Sequence, residues 1–314
     1  MKLKKEYLII VLVIIGLFVY IYSRTSERIS YELPQPASIR QKEVTRITID
    51  NQGRIITLTR DNGQWVVGQR GYPARAGRIE DLLKALDRFQ VTDLVSRSRN
   101  YSRYSLDRES AIKLKAWAGQ ELVRSFWAGK QASTYRNSYV RLDNDPNIYL
   151  SRSNWKQTLN REPGDFQDKV VLDFDQKRLR KIGLQGPKGS LTLTRGQNES
   201  LSEEEGGAQP ETLLWRTVSG QEIDKSSLDK LLQSIDGLTC SRYLEGKDKQ
   251  DFKSPDYRLV LANGQEDVFS LYLGKKQGNA TQYHGISKEN GFPFILSEQK
   301  GKEIVEALDK LLSF

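Results

Sequence analysis

The sequence predicts an α+β protein, with an N-terminal transmembrane helix followed by two tandem copies of a mainly antiparallel β-sheet unit packed with one or two helices. Three observations predict it. An uncharged run at residues 7–22 is purely Leu, Ile and Val from Leu8 to Ile15. The segment KLKAWAGQELVRSFWAGK at 113–130 returns as RLVLANGQEDVFSLYLGK at 258–275, with eight of 18 positions identical at an offset of 145. Short β-rich runs, punctuated by turn residues, are interrupted once per copy by a helical period.

The first element is the uncharged run. As a helix, 16 residues rise about 24 Å, slightly short of a bilayer core, and flanking Tyr and Lys side chains extend it. Lys2, Lys4 and Lys5 before the run, against Arg24 and Arg28 partly offset by Glu27 after it, favour a cytoplasmic amino end. Ile21, Tyr22, Ser23 and Arg24 offer no A-x-A cleavage pattern, so residues 1–29 read as an uncleaved anchor in a bacterial inner membrane. The bulk of the chain is then expected in the periplasm. Residues 30–43, with Pro34 and Pro36, read as a linker.

The first repeat is assigned to 44–162. Runs at 44–49, 54–60 and 64–67 read as strands, and Asn62-Gly63 is a hairpin signal because both residues tolerate positive φ. Ile79, Leu82, Leu83, Leu86 and Phe89 form one apolar stripe of a helix over 78–89. Strands are expected at 111–117, 122–127, 138–142 and 148–150, then a short helix at 154–159. The second repeat, 163–314, restates this plan. ITLTR at 56–60 returns as LTLTR at 191–195, and the helical stripe returns at Leu228, Leu231, Leu232, Ile235 and Leu238. Those offsets, 135 and 149, differ by an insertion, which the acidic Gly/Ser-rich stretch 196–211 supplies as a loop. A closing helix is expected at 301–312.

These marks carry a family resemblance. Trp65-Val66-Val67, Pro73 leading into Ile79, Leu82 and Leu83, Ser96, Tyr104-Ser105-Leu106 and Gly129 follow a short membrane span. The pattern resembles the bacterial domain-of-unknown-function family 4340, over essentially 44–312. Members are commonly encoded beside gliding-type ABC transporter subunits. The resemblance therefore implies an accessory or scaffold role for the exported domain, with permease and ATPase subunits as partners. It implies no catalytic residue and no cofactor.

The residues themselves point the same way. Cys240 and His284 are the only Cys and His, too few for a disulfide or a Cys/His zinc site. His284 stands where the first copy has Tyr139, which suits packing or hydrogen bonding better than catalysis. Cys240 reads as a small buried hydrophobe, and Ser226-Ser227 beside Lys225 and Lys230 as a helix start. Asp173 and Asp175 would share one side of a strand without a sugar site around them. Glu203-Glu204-Glu205 lacks the spaced ligands of a calcium loop, and no nucleotide-binding glycine motif is present. No catalytic, cofactor or metal residue is assigned.

The remaining candidate is Arg97, Arg99, Tyr101 and Arg103. It reads as a contact for lipid headgroups, acidic glycans or a partner protein, or alternatively as a solvated loop. These side chains are co-facial only if the segment is extended. The formal net charge of +9 is not uniform: residues 44–162 carry 21 Lys+Arg against 12 Asp+Glu, and 168–314 carry 21 against 23. Nucleic acid is not expected as a partner of an exported chain. The alternative reading is an envelope enzyme acting on lipid or cell-wall polymer.

Overall fold

Tight turns set the strand layout. Gln52 and Gly53 (φ 58° and 87°) join the first two strands, and Asn62 and Gly63 (φ 46° and 83°) form the next turn, both in the left-handed region such hairpins require. The computed structural model describes residues 5–26, 32–196, 214–247, 249–252, 254–263, 267–276 and 282–313. Most of the acidic stretch 196–211, including Glu203-Glu204-Glu205, lies outside the described residues.

After helix α1 (Lys5–Ser26) the chain forms β1 (Arg46–Asn51), β2 (Arg54–Asp61), β3 (Gln64–Val67) and β4 (Tyr72–Pro73), then α2 (Ala76–Asp87). Next come β5 (Val91–Ser96), β6 (Ile112–Ala118), β7 (Glu121–Gln131), β8 (Ser138–Leu142), β9 (Ile148–Ser151), α3 (Trp155–Leu159) and α4 (Pro163–Phe166). The rest comprises β10 (Val170–Leu172), β11 (Lys181–Gly186), β12 (Gly189–Gly196), β13 (Leu214–Thr217) and α5 (Lys225–Ile235). It ends with β14 (Leu238–Thr239), β15 (Arg242–Tyr243), β16 (Tyr257–Ala262), β17 (Asp267–Lys276), β18 (Gln282–Ser287), β19 (Phe294–Leu296) and α6 (Glu298–Leu312). Strands pair antiparallel throughout, as the alternating sequence patterns and short turns dictate.

Two compact units result: Met1–Arg60 with Glu80–Arg161, and Asp61–Ile79 with Glu162–Phe314. In the first unit the strand order is β2–β1–β6–β7–β8–β9–β5. The inner face carries Ile47, Ile49, Ile56, Leu58, Leu114, Phe126 and Val140, each at most 1% exposed. Phe89, Phe126 and Trp155 form a three-ring centre, with centroids 4.4 Å (Phe89–Phe126) and 4.8 Å (Phe126–Trp155) apart. Burying each such ring contributes about 1.5–3 kcal/mol. Arg124 also turns inward. Its guanidinium donates to the Ala37 carbonyl and lies 5.3 Å from the Phe89 ring centre, fastening the linker to the sheet.

The second unit has the strand order β13–β12–β11–β16–β17–β18–β19–β15, with a small pair β10–β14 beside it. Helices α5 and α6 pack on each other, and α6 lies on β11, β12 and β18. Tyr257 Oη donates to Asp309 Oδ1 at 2.9 Å, tying β16 to α6. Ser297 caps α6 by accepting from Lys300 N at 3.2 Å, so this helix starts earlier than the apolar stripe alone suggested. The segment 61–79 groups here because its backbone pairs here. Arg75 N donates to Phe166 O, and Asp168 N to Pro73 O, each at 2.8 Å, and Ala74 bridges Gln167.

The expected membrane span is not met by α1 as described. Its described apolar side chains, 10–21, rise about 18 Å, short of a hydrocarbon core of roughly 30 Å. Among the described residues no helix is long and apolar enough to cross a membrane.

Candidate binding site

Antiparallel register builds a row of polar and aromatic side chains across the outer face of the first unit. Asp50 on β1, Lys113 on β6, Trp127 on β7 and Arg141 on β8 are consecutive cross-strand partners. Period-two alternation sends their neighbours Ile49, Leu114, Phe126 and Val140 into the core, so all four project from the opposite face.

Trp127 is the centre of this row. Lys113 Nζ lies 4.4 Å and the Arg141 guanidinium 5.0 Å from its ring centre, and Arg141 also lies 4.6 Å from the ring of Tyr101. These are cation–π distances. Asp143 locks the row. It accepts from Trp127 Nε1 at 2.8 Å and from the Ser125 hydroxyl, and pairs with Lys113 Nζ at 3.3 Å. Partial burial alone would raise its pKa. The Ser125 hydroxyl, the Lys113 ammonium and the Trp127 indole N–H outweigh that and hold it below the ordinary carboxylate value. An open cavity of about 780 Å³ lies against this row, lined by Asp50, Arg108, Glu109, Lys113 and Trp127. Its chemistry is that of a polar ligand laid on an aromatic edge, with charges of both signs around it.

The sequence-predicted patch adjoins this row but is not flat. Tyr101 N donates to Arg99 O, and residues 102–104 form a 3₁₀ turn, so the extended backbone needed for a co-facial patch is absent. Arg97, Arg99 and Arg103 are exposed and make no ion pair with any described residue. Tyr101 is half-buried: it donates through its hydroxyl to Pro146 O at 3.0 Å and stacks under Arg141. Tyr101 is therefore a structural support, and the three arginines are the accessible groups. The sequence alone does not single out Lys113, Trp127 and Arg141: alternation within β6–β8 puts each on one face of its strand, and only the register makes them neighbours.

In the second unit, Arg258 and Tyr272 occupy the positions of Lys113 and Trp127 at the offset of 145. They too are register partners, with the guanidinium 5.5 Å from the ring centre. Cys240 is buried, and burial pushes its thiol up to about 11, so it is a neutral thiol at pH 7. His284 lies half-buried on β18, opposite Gly274 and Ile295, beside an open cavity that Asp251 and Asp256 also line. Ser226 and Ser227 donate through their hydroxyls to Asp224 Oδ2 at 3.0 and 2.5 Å, as parts of a helix cap. Asp175 accepts from Lys177 N in a local turn. Among the described residues no group of three or more His, Cys, Asp or Glu is placed to hold a metal.

A second cavity of this unit, about 390 Å³, is lined by Arg75, Arg78, Asp165, Asp168, Lys169 and Cys240. One lining residue, Asp168, accepts at its carbonyl from Tyr243 Oη at 2.6 Å, and Tyr243 stacks on Tyr72 with ring centres 4.8 Å apart. None of its basic groups stood out in the sequence, because they come from segments 91 or more positions apart.

A family model described as domain of unknown function (DUF4340) matches residues 65–259. No curated protein and no solved structure matches the chain.

Proposed function

The chain belongs to the DUF4340 family, whose model covers more than half of it, and from that premise we propose that it is a membrane-tethered, non-catalytic accessory subunit of an ABC-type envelope transport system. The observation that carries this reading is α1. From Ile10 to Ile21 every large apolar side chain is 53–74% exposed, all round the helix. A helix apolar on every face is stable when an apolar medium or partner surrounds it. The backbone of α1 continues to Lys5 and Ser26, 22 residues or about 33 Å. The sequence supplies Tyr7, Leu8, Ile9 and Tyr22 at its two ends, enough to complete a span with an aromatic belt. The amino end is then cytoplasmic and both units lie in the periplasm.

The two units support descent from one duplicated domain. The order β2–β1–β6–β7–β8–β9–β5 and the order β12–β11–β16–β17–β18–β19–β15 coincide element for element. In this reading the arginine-rich first copy, next to the membrane, meets the permease or lipid headgroups through Arg97, Arg99 and Arg103. ATP hydrolysis belongs to another subunit.

Crosslinking in membranes followed by affinity capture tests the reading. Permease and ATPase subunits are expected in the eluate; recovery of this chain alone from the membrane fraction would sink it.

A further inference from the structure

We infer that the second unit carries an anion-binding site for a phosphate group, in the cavity where Arg75, Arg78 and Lys169 converge. This site is made of second-unit residues alone and does not rest on the partner surface proposed for the first unit. The cavity measures about 390 Å³, within the size range of small-ligand pockets. None of the three basic side chains has a hydrogen bond or ion pair to a described residue, although charged side chains elsewhere, such as Lys113, Lys300 and Lys310, do.

The two carboxylates that share the cavity are turned to the backbone. Asp165 Oδ2 accepts from Glu162 N and Asp168 Oδ1 from Val170 N, each at 3.0 Å. They anchor the loop more than they neutralise the cations. Three like charges around one cavity repel one another, and an anion among them removes that repulsion. Two guanidinium forks and one ammonium match the several oxygens of a phosphate better than the two of a carboxylate.

The arrangement is also preorganised. Arg75 N is bonded to Phe166 O, Arg78 N to Arg75 O, and Cys240 N to Lys169 O, at 2.8–3.0 Å. The bases of all three side chains are thus fixed before a ligand arrives, which lowers the ordering cost of binding. The loop that carries Lys169 is held on both sides: Tyr243 Oη donates to Asp168 O at 2.6 Å, and Asn290 Nδ2 to Tyr243 Oη at 2.8 Å and to Val170 O at 3.3 Å.

A phosphate here comes either from a soluble ester or from a phospholipid headgroup. The test uses the full chain in non-ionic detergent, titrated calorimetrically with glycerol phosphate and with pyrophosphate at low salt. The same chain in vesicles of phosphatidylglycerol, against phosphatidylcholine alone, separates the two sources. Saturable binding is expected in one arm. The triple variant Arg75→Gln, Arg78→Gln, Lys169→Gln should weaken it by about tenfold or more, and Lys177→Gln with Arg180→Gln, two exposed cations outside both proposed surfaces, should leave it unchanged. Equal binding by the triple variant, or no saturable binding in either arm, would overturn the site. A measurement on the unaltered chain guards against misfolding of the variant. Cys240 lines the same cavity and is the chain's only cysteine, so the bound anion should slow its alkylation by a maleimide. An unchanged alkylation rate at saturating anion counts against the proposal.

Discussion

Gly129 and Gly274 align at the offset of 145 between the two similar segments, yet their surroundings differ. A Cβ on Gly129 would run into the Tyr104 carbonyl oxygen and sit 2.8 Å from Leu106 Cγ, whereas one on Gly274 would find Asp256 Oδ2 at 3.8 Å and nothing closer. In the first unit, β7 is thus pressed against the backbone that leads out of the Arg97–Tyr104 loop. Backbone cannot move aside as a side-chain end can. Gly129→Ala is expected to lower stability by about 1–3 kcal/mol, the usual cost of overpacking. Gly274→Ala should stay within roughly 0.5 kcal/mol. Urea unfolding of both variants reads the difference, and equal midpoints would show that the loop yields freely.

At the scale of single elements, α5 shows how a cap couples a helix to pH. Asp224 accepts from the Ser227 and Ser226 hydroxyls and from Ser226 N, and Lys310 Nζ reaches it from α6 at 3.5 Å. These bonds, the Ser227 hydroxyl foremost, favour the carboxylate and hold its pKa at about 2 against an ordinary 3.8. A pKa lower in the folded chain than in the unfolded one gives stability that is present above the unfolded value. It is lost as pH falls through the folded one. The loss therefore falls between pH 3.8 and about 2. Asp224→Asn keeps an acceptor for the cap but cannot titrate. Its thermal midpoint should fall less steeply than that of the unaltered chain across this window, and parallel curves would remove Asp224 from the account.

The same element scale shows what sequence reading can reach. The stripe Ile79, Leu82, Leu83, Leu86 and Phe89 was legible because helical period and burial are local, and all five are at most 9% exposed. The hairpin at Asn62-Gly63 was legible because its positive φ angles need those residues. The Arg97–Arg103 segment was not, since alternation implies a shared face only in extended backbone, and one turn hydrogen bond from Tyr101 N to Arg99 O ends it. Nor was the cavity of Arg75, Arg78 and Lys169, which depends on pairing between residues about ninety apart.

At the scale of the whole molecule the charge is unevenly distributed. Residues 44–162 hold 16 Arg and 5 Lys, and 168–314 hold 6 Arg and 15 Lys. Arginine suits planar, bidentate contact with carboxylate or phosphate, while lysine suits hydration. If the proposed anchor holds, the arginine-rich segment 44–162 is the one nearer it in sequence and the better suited to contact anionic headgroups, whose field decays over a Debye length of roughly 8–10 Å. Replacing Arg97, Arg99 and Arg103 by Ser in the full chain should reduce crosslinking to membrane partners. Fold stability should change by no more than about 0.5 kcal/mol, because these exposed side chains make no ion pair with a described residue and only Arg103 lies near a ring, 6.0 Å from the centre of Tyr104. The loss should be greatest at low salt, where screening is weakest, and should shrink as salt alone weakens the unaltered chain. Undiminished crosslinking by the triple variant at low salt would return the three arginines to solvated surface. The contact would then have to be sought along the Lys113–Trp127–Arg141 row, which a Trp127→Ala variant would expose.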